Sequence, residues 1–446
     1  MKQLPVGGKA DVVVFGSGPA GISAAIAASR KGADVILVER FPFVGGMSTL
    51  VPISMWPLVT AIEIGELETS YDGFPAEILD RMEKMGGLDL RTITMDGIDT
   101  FVPDPTKNDR VATSKWYIYD PEMLKYLYFE MLEEAGVELL VNSLAVDTIV
   151  RDGKVEGVVV ENLLRREIIE ADVIVDATGS ADIATRSDSP ADLGHYEYDL
   201  IMPTSTTWRI AGVDTENLDV EKISMAYEET RAGGGLDVPL EGLCMHIFSK
   251  GVVQIFGTRV FNINPLDPRQ AAKGEKDQRR QIHDITNYLK KAFPEFKDAR
   301  LIDTGSMMGM IGTRRIRGDY WLTQDDVLEG KKFDDVIATG TYRMEIWDME
   351  SSKNYFHHLI GTWYTIPYRS LMPQGLENVI VAGSCISGQY EAMAAWAIQP
   401  ICMLTGQAAG TAAALCAAEK KDTRGISIPE LQKQLKEDGV FLGEDE

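Results

Sequence analysis

The residues with the most legible chemistry are three glycines near the start of the chain. Gly16, Gly18 and Gly21 form the GxGxxG of GSGPAG, behind the apolar run DVVVF and ahead of the alanine-rich ISAAIAASRKG. In that pattern the first glycine permits a tight turn, the second lets a pyrophosphate reach the backbone, and the third lets the helix pack closely on the strand. The helix start, Pro19 and Ala20, brings free N–H groups and partial positive charge to a phosphate. Glu39 closes a second apolar run, DVILVE, where a carboxylate accepts hydrogen bonds from ribose hydroxyls. A lone GxGxxG says little. Strand, loop, helix, strand and acid within about 30 residues describe a dinucleotide site.

Further glycines bear on which dinucleotide. RFPFVGGMST places Gly45 and Gly46 directly after Glu39 and Arg40. Ala177, Thr178 and Gly179 follow the buried run DVIVD, and Gly383 ends NVIVAG. Three glycine loops behind strands mark three close backbone approaches. A nicotinamide dinucleotide has no need of them, whereas FAD extends its isoalloxazine into a second domain; ordinary turn glycines are the competing reading. The remaining glycine-rich run, AGGGLD at 232–237, has no strand before it. A second nucleotide domain for a nicotinamide donor is therefore not expected. Electrons would pass to or from a bound substrate, oxygen or a redox partner.

Composition narrows the field. The chain has 446 residues, 44 Lys and Arg against 68 Asp and Glu, and a formal charge of −24. Such a surface repels phosphate backbones and anionic lipid, so neither nucleic acid nor a membrane surface is an expected partner. A small molecule is. The four cysteines, Cys244, Cys385, Cys402 and Cys416, show no CxxC spacing, which speaks against a metal cage, a redox dithiol or a disulfide framework. The opening MKQLPVGGKADVVVFG does not read as a signal peptide, and a reducing cytoplasm is expected. Residues 392–418 carry no charge, 27 in a row, with Gly406 and Gly410 at GxxxG spacing. Gln399, Pro400, Gln407 and small residues make that run too weakly apolar for a span, so a buried helix is expected.

The length favours two interleaved domains. Asp120, Pro121 and Glu122 open a second helix, which Gly136 ends. Short strands follow (VELLV, LAVDTIV, VEGVVVE, REIIEA), with a hairpin turn at Asp152-Gly153, and then DVIVD. From about 190 to 310 the texture becomes more polar, with aromatic and β-branched runs such as TSTTWRI and VVQIFGTRVF. A charged helix begins near Asp267-Pro268 and buries Ile282, Ile285, Leu289 and Phe293. The NVIVA run at 378–382 returns to the first strand type. The expected architecture is α/β: a Rossmann-like FAD-binding domain with a parallel sheet and a β-meander, plus an inserted α+β substrate cap. The expected parts are 1–189, the cap at 190–310, and a return at 311–446.

The chain resembles the bacterial FAD-dependent oxidoreductases of the glutathione reductase-like flavoprotein superfamily, to which fumarate reductase flavoproteins also belong. The residues that carry this are DVVVFGSGPAGISAAIAASRKGADVILVER, VGGMST, YDPEMLKYLYFEMLEEAGVELL, ADVIVDATGSADIA, TRRIRGDYWLTQDDVLEGKKFDDVIA, IPYRSLMPQGLENVIVAGSCIS and PICMLTGQAAGTAAAL. They run in order from residue 10 to about 417. The resemblance implies non-covalent FAD. Gly16 to Gly21 would hold the pyrophosphate, and Glu39 with Arg40 the adenosine ribose. Gly45, Gly46 and Met47 would lie along the ribityl–flavin side, and Ala145 or Val146 would meet the adenine. Ala177, Thr178 and Gly179 would close over the cofactor, and Gly383 and Ile398 would meet the pyrimidine edge. A helix start there stabilises negative charge on a reduced flavin.

The chain departs from the family at the substrate. Arg and His are usual after the late strand, where Ser384, Tyr390, Met393 and Ala397 stand, and Trp347 replaces a usual His. These replacements point to an aromatic pocket for a flat or apolar substrate; plain core positions are the competing reading. Candidate catalytic residues are Tyr390 as a proton donor, Arg343 or Arg369 for a carboxylate or carbonyl, and His357 (beside His358) as a base. A structural ion pair competes for either arginine, and a solvated loop position for the histidines. Arg314 and Arg315 match a family motif, and Glu391 would order its loop. The expected activity is hydride transfer between FAD and a small neutral or aromatic organic molecule. The alternatives are an oxidase that passes electrons to oxygen and a flavin-binding protein with degenerate catalytic residues.

Overall fold

The computed structural model describes residues 4–51, 53–57, 61–62, 72–94, 113–195, 197, 200–239, 243–350, 354–357, 359–360 and 363–443. Its main sheet runs in the order Glu138–Leu140, Val35–Val38, Val6–Phe15, Arg166–Asp176, Lys154–Asn162, Ser143–Arg151. Val35–Val38 is buried at every position, as a parallel strand covered on both faces must be. Val12 to Phe15 pair in parallel with Val35 to Val38 on one side and with Val173 to Asp176 on the other.

REIIEA and DVIVD, read above as two strands, form one strand, Arg166–Asp176. No turn residue separates them; Val6–Phe15 pairs along both halves, and on the opposite edge the partner changes. Arg166 to Glu170 pair antiparallel with Lys154–Asn162, and Ile174 to Asp176 pair in parallel with the late strand Val379–Val381. One long strand thus joins the meander to the nucleotide-binding sheet. The expected hairpin is present, with positive φ at both Asp152 (48°) and Gly153 (80°) between Ser143–Arg151 and Lys154–Asn162. The helix Pro121–Ala135 begins on the Asp120 carboxylate, which accepts from the Glu122 and Met123 amides, and ends at Gly136 with φ 75°.

The uncharged segment forms two helices, Tyr390–Trp396 and Gln399–Glu419, divided at Ala397–Ile398 ahead of Pro400. Among the described residues the second is the one helix long and apolar enough to cross a membrane, and 83% of that window is buried. It lies along the first helix, Pro19–Arg30. A methyl group built on Gly406 would stand 2.1 Å from the Ala20 carbonyl oxygen, and one on Gly410 would stand 2.0 Å from that of Ala24. The Ser23 hydroxyl donates to the Met403 carbonyl across the contact, at 2.8 Å. The GxxxG spacing therefore serves backbone-to-backbone packing inside the core.

A second apolar core, built on Trp208, Tyr227, Ile255, Ile285 and Phe296, belongs to the inserted segment. Its antiparallel sheet has the order Cys244–Ser249, Val252–Phe256, Thr207–Ala211, Arg300–Thr304. The helix Pro268–Ala292 starts on the Asp267 carboxylate and buries Ile282, Ile285 and Leu289. Several smaller pieces escaped the sequence, among them two that border the cleft. A three-stranded sheet joins Met55–Pro57, Thr113–Tyr119 and Leu88–Thr94, and a hairpin joins Met344–Trp347 to Asn354–His357.

Replacing either Gly406 or Gly410 by alanine forces the two helices apart. Each change should cost about 1–3 kcal/mol by overpacking. Thermal unfolding should show a lower midpoint, whereas Gly86→Ala, where a methyl group meets nothing within 4 Å and the cost is that of its φ of 73° alone, should lower it less.

Candidate active site

A cleft with a cavity of about 440 Å³ runs from the glycine loop to the junction of the two cores. Gly16, with φ 90°, crosses so close to the next loop that a methyl group would lie 2.6 Å from the Ala177 carbonyl oxygen. Gly21 lies beneath the turn, where a methyl group would stand 1.7 Å from the Gly16 carbonyl oxygen. Gly18 is different. The nearest atom to a methyl group there is the Gly46 Cα at 4.0 Å, so its bare backbone faces the cleft. Gly179, with φ 77°, likewise presents backbone to open space.

The other expected nucleotide residues gather around this loop. Pro19, Ala20, Glu39, Arg40, Gly46 and Met47 line the cleft, as do Ala145, Ala177, Thr178, Gly383 and Ile398. Gly21, Gly45 and Val146 do not, although Gly21 and Gly45 support residues that do. The Gly45 amide donates to the Ser17 carbonyl at 2.8 Å, and the Val146 carbonyl accepts from Arg186 Nη1 at 3.2 Å. The buried Glu39 carboxylate accepts from the Ser17 amide and hydroxyl at 2.8 and 2.6 Å, and from the Phe41 amide at 2.8 Å. These bonds fix its orientation at the end of its strand.

Asp176 is a positioning residue that the sequence reading passed over. It is fully buried at the end of the long strand, and burial raises its carboxyl pKa above the usual range. One oxygen accepts from the Thr178 hydroxyl at 2.7 Å, the other from the Ile183 and Ala184 amides at 2.9 Å each. The carboxyl thereby shapes the Ala177–Gly179 loop. Arg314 supports the same turn through Asp182, at 3.0 Å.

The late helix points its start at the cleft, which Ile398, Gln399 and Pro400 line, and no side chain caps it. Its unmet N–H groups and dipole favour negative charge there. Gln399 ties this end to the facing wall: its side-chain oxygen accepts from Ser48 Oγ and Trp56 Nε1, both at 2.8 Å.

At the far end the walls are aromatic: Trp56, Trp116, Phe256, Tyr342 and Trp347 line it, with Arg259 and Glu345. Glu345 and Trp347 alternate along one strand and so share a face. The Glu345 carboxylate accepts from the Tyr342 hydroxyl at 2.6 Å and from Trp347 Nε1 at 3.0 Å. The Arg259 guanidinium, contributed by the inserted segment, lies over the Trp347 ring at 4.1 Å. Burial lowers the Arg259 pKa to about 10, which still leaves it a cation at neutral pH.

The structure sets the four proposed catalytic residues outside the lining of this cleft. Tyr390 is fully buried and donates to the Trp347 carbonyl oxygen at 3.3 Å; burial pushes its phenol well above the usual range. Arg369 is fixed on Asp335 at 2.8 Å and Asp334 at 3.0 Å. His357 is exposed on the hairpin strand, and His358 lies outside the described residues. Arg343 is buried away from the lining. Arg315 bridges the Gly194 and Gly388 carbonyls at 2.7 and 2.9 Å, and Glu391 orders His195 at 2.9 Å. Among the replaced family positions, Trp347, Ser384 and Ala397 do reach the cleft.

Comparison with known proteins gives the family. A family model described as FAD dependent oxidoreductase matches residues 11–435. The chain belongs to this family. Its cofactor is FAD, and the chain spans less than two thirds of the length of the curated relatives it matches. Over 307 residues it is 24% identical to a digeranylgeranylglycerophospholipid reductase of Methanosarcina mazei, covering 66% of this chain and 62% of that one. It is also 24% identical over 219 residues to a vinyl phenol reductase of Lactiplantibacillus plantarum, covering 44% of this chain and 42% of the relative. A solved geranylgeranyl bacteriochlorophyll reductase-like protein of Thermoplasma acidophilum shares the fold. Its TM-score is 0.51 at 12% identity, with 97% of this chain and 84% of that one covered.

Because φ at Gly18 is −69°, any residue is tolerated there without backbone strain. Gly18→Val should therefore leave the enzyme folded while filling the space a pyrophosphate needs. FAD should bind about tenfold or more weakly. The flavin-to-protein ratio after dialysis, set against an unchanged far-ultraviolet circular dichroism spectrum, measures this.

Proposed function

We propose that the enzyme reduces a carbon–carbon double bond or carbonyl in a small, flat, neutral or aromatic organic molecule. The observation that carries this reading is the aromatic wall of Trp56, Trp116, Phe256 and Trp347, which meets the cleft at the junction of the two cores. Such walls bind a planar, apolar face by area and by ring stacking. Two of the sequence relatives are reductases by name, which favours reduction over dehydrogenation.

Bound FAD supplies hydride chemistry; the protein positions it and sets the electrostatics. Gly18, Gly179 and the first turn of Pro19–Arg30 would hold the pyrophosphate, and Glu39 the ribose. The start of Gln399–Glu419 favours negative charge at the redox-active end of the cofactor. Trp56, fixed through Gln399, and the opposing Trp347 would hold the substrate flat and keep bulk water out. The net charge of −24 is no obstacle to a neutral substrate.

Anaerobic titration tests the reading. The FAD in purified enzyme is reduced chemically, and a styrene-type alkene or an aryl enone is added. Return of the oxidised flavin spectrum, with formation of the saturated product and no response to a saturated analogue, is expected. Reoxidation by oxygen alone, with no response to any alkene or carbonyl compound, favours the oxidase reading instead.

A further inference from the structure

Among the described residues that line the cleft, the carboxylates are Glu39, Asp182 and Glu345. Glu39 and Asp182 belong to the nucleotide end, the first held by Ser17 and the second beside the Thr178 hydroxyl, which accepts from its amide at 2.9 Å. Glu345 stands at the other end, half-buried among the aromatic side chains.

The Glu345 carboxylate is aimed by its neighbours. Oε2 accepts from the Tyr342 hydroxyl at 2.6 Å, and Oε1 from Trp347 Nε1 at 3.0 Å. Tyr342 and Trp347 both line the cleft, so the carboxylate sits within the wall, between two side chains that face the same volume. Anchored at both oxygens, it is ordered before a ligand arrives, which lowers the cost of binding. An ionised carboxylate offers about four lone-pair sites, so one protein donor on each oxygen leaves capacity for a further donor. The surroundings are apolar, and there a hydrogen bond is worth more than in water. A flat ligand without a donor would strip water from the carboxylate and put nothing in its place.

Building on the reductase reading above, we propose that Glu345 is a specificity-determining residue, whose carboxylate accepts a hydrogen bond from a neutral O–H or N–H donor on the ring of a flat substrate lying against Trp347. Tyr342 and Trp347 are the positioning residues that aim it. The substrate class is then a phenol or an aryl amine that carries the reducible bond, in preference to a bare aryl hydrocarbon or an aryl ether. The net charge of −24 leans the same way, since a neutral donor meets no repulsion from it. The bond orients the ring; no covalent step is assigned to Glu345.

The test is a binding measurement on the FAD-loaded, oxidised enzyme at neutral pH, read from the perturbation of the visible flavin spectrum. The ligands are phenol and anisole, which share a ring and differ in the donor. Anisole buries more apolar area, so aromatic walls alone favour it. Wild type should instead bind phenol about tenfold more tightly, the size of a hydrogen bond to a charged group. Glu345→Gln should weaken phenol by about tenfold and leave anisole within about twofold. Tyr342→Phe removes one protein donor from the carboxylate and should keep the preference for phenol. That variant separates the carboxylate from the Tyr342 hydroxyl as the ligand's partner, and it carries the test if the glutamine variant fails to fold. Anisole bound as tightly as phenol by wild type, equal effects on both ligands in Glu345→Gln, or loss of the preference in Tyr342→Phe overturns the assignment and leaves the reductase reading intact. If neither ligand perturbs the wild-type flavin, the assignment falls, and the alkene titration alone decides the reductase reading.

Discussion

The contact on which the structure depends is the one between the first helix and the long late helix. Gly406 and Gly410 bring one backbone against the Ala20 and Ala24 carbonyls of the other, with no room for a methyl group. These segments lie nearly four hundred residues apart, so the contact joins the two ends of the chain. It fixes where two helix starts stand relative to each other. Pro19 opens one and Gln399 the other, and both line the same cleft. Two positive helix ends thus converge on one ligand volume, one suited to a pyrophosphate and one to the negative charge of a reduced flavin. Side chains of ordinary size at the interface would separate those ends and lengthen the cleft.

Buried charge is arranged to the same end. Asp176 sits under the second glycine loop and spends its carboxyl on backbone and hydroxyl donors, which gives the Ala177–Gly179 turn one shape. Arg315, also fully buried, joins the Gly194 carbonyl in the inserted segment to the Gly388 carbonyl beside the late strand; burial lowers its pKa to about 10. Both groups act on main chain. They hold loops that are separate in sequence in fixed relation around the cofactor's path.

The nucleotide half was legible because its chemistry is local. The turn at Gly16, the cap at Asp120 and the hairpin at Asp152-Gly153 are each decided within a few residues, and each appears as read. Boundaries were less legible where they depend on distant partners. Nothing in REIIEADVIVD shows that one strand changes neighbours halfway. The aromatic half of the cleft is assembled from distant segments. Arg259 and Trp347 meet from segments nearly ninety residues apart, whereas the Tyr342–Glu345 bond spans three residues and shows its place in the wall only once the fold is known. Tyr390, Arg343, Arg369 and His357 were chosen by residue type and by position relative to the late strand, and neither criterion tells a cleft wall from the layer behind it. Trp347 was the useful signal: a bulky aromatic in place of a usual histidine marked the wall, and Glu345, two residues before it on the same strand face, could have been inferred from the period of two.

In the cap sheet Cys244 pairs directly with Phe256, and Arg259 follows three residues on. All three face the cleft. This wall of the cleft is therefore built at the ends of two adjacent strands, and none of Gly16, Gly18, Gly46 and Gly179 lies on them. Side chains at that sheet margin can change without disturbing the backbone turns at the other end of the cleft.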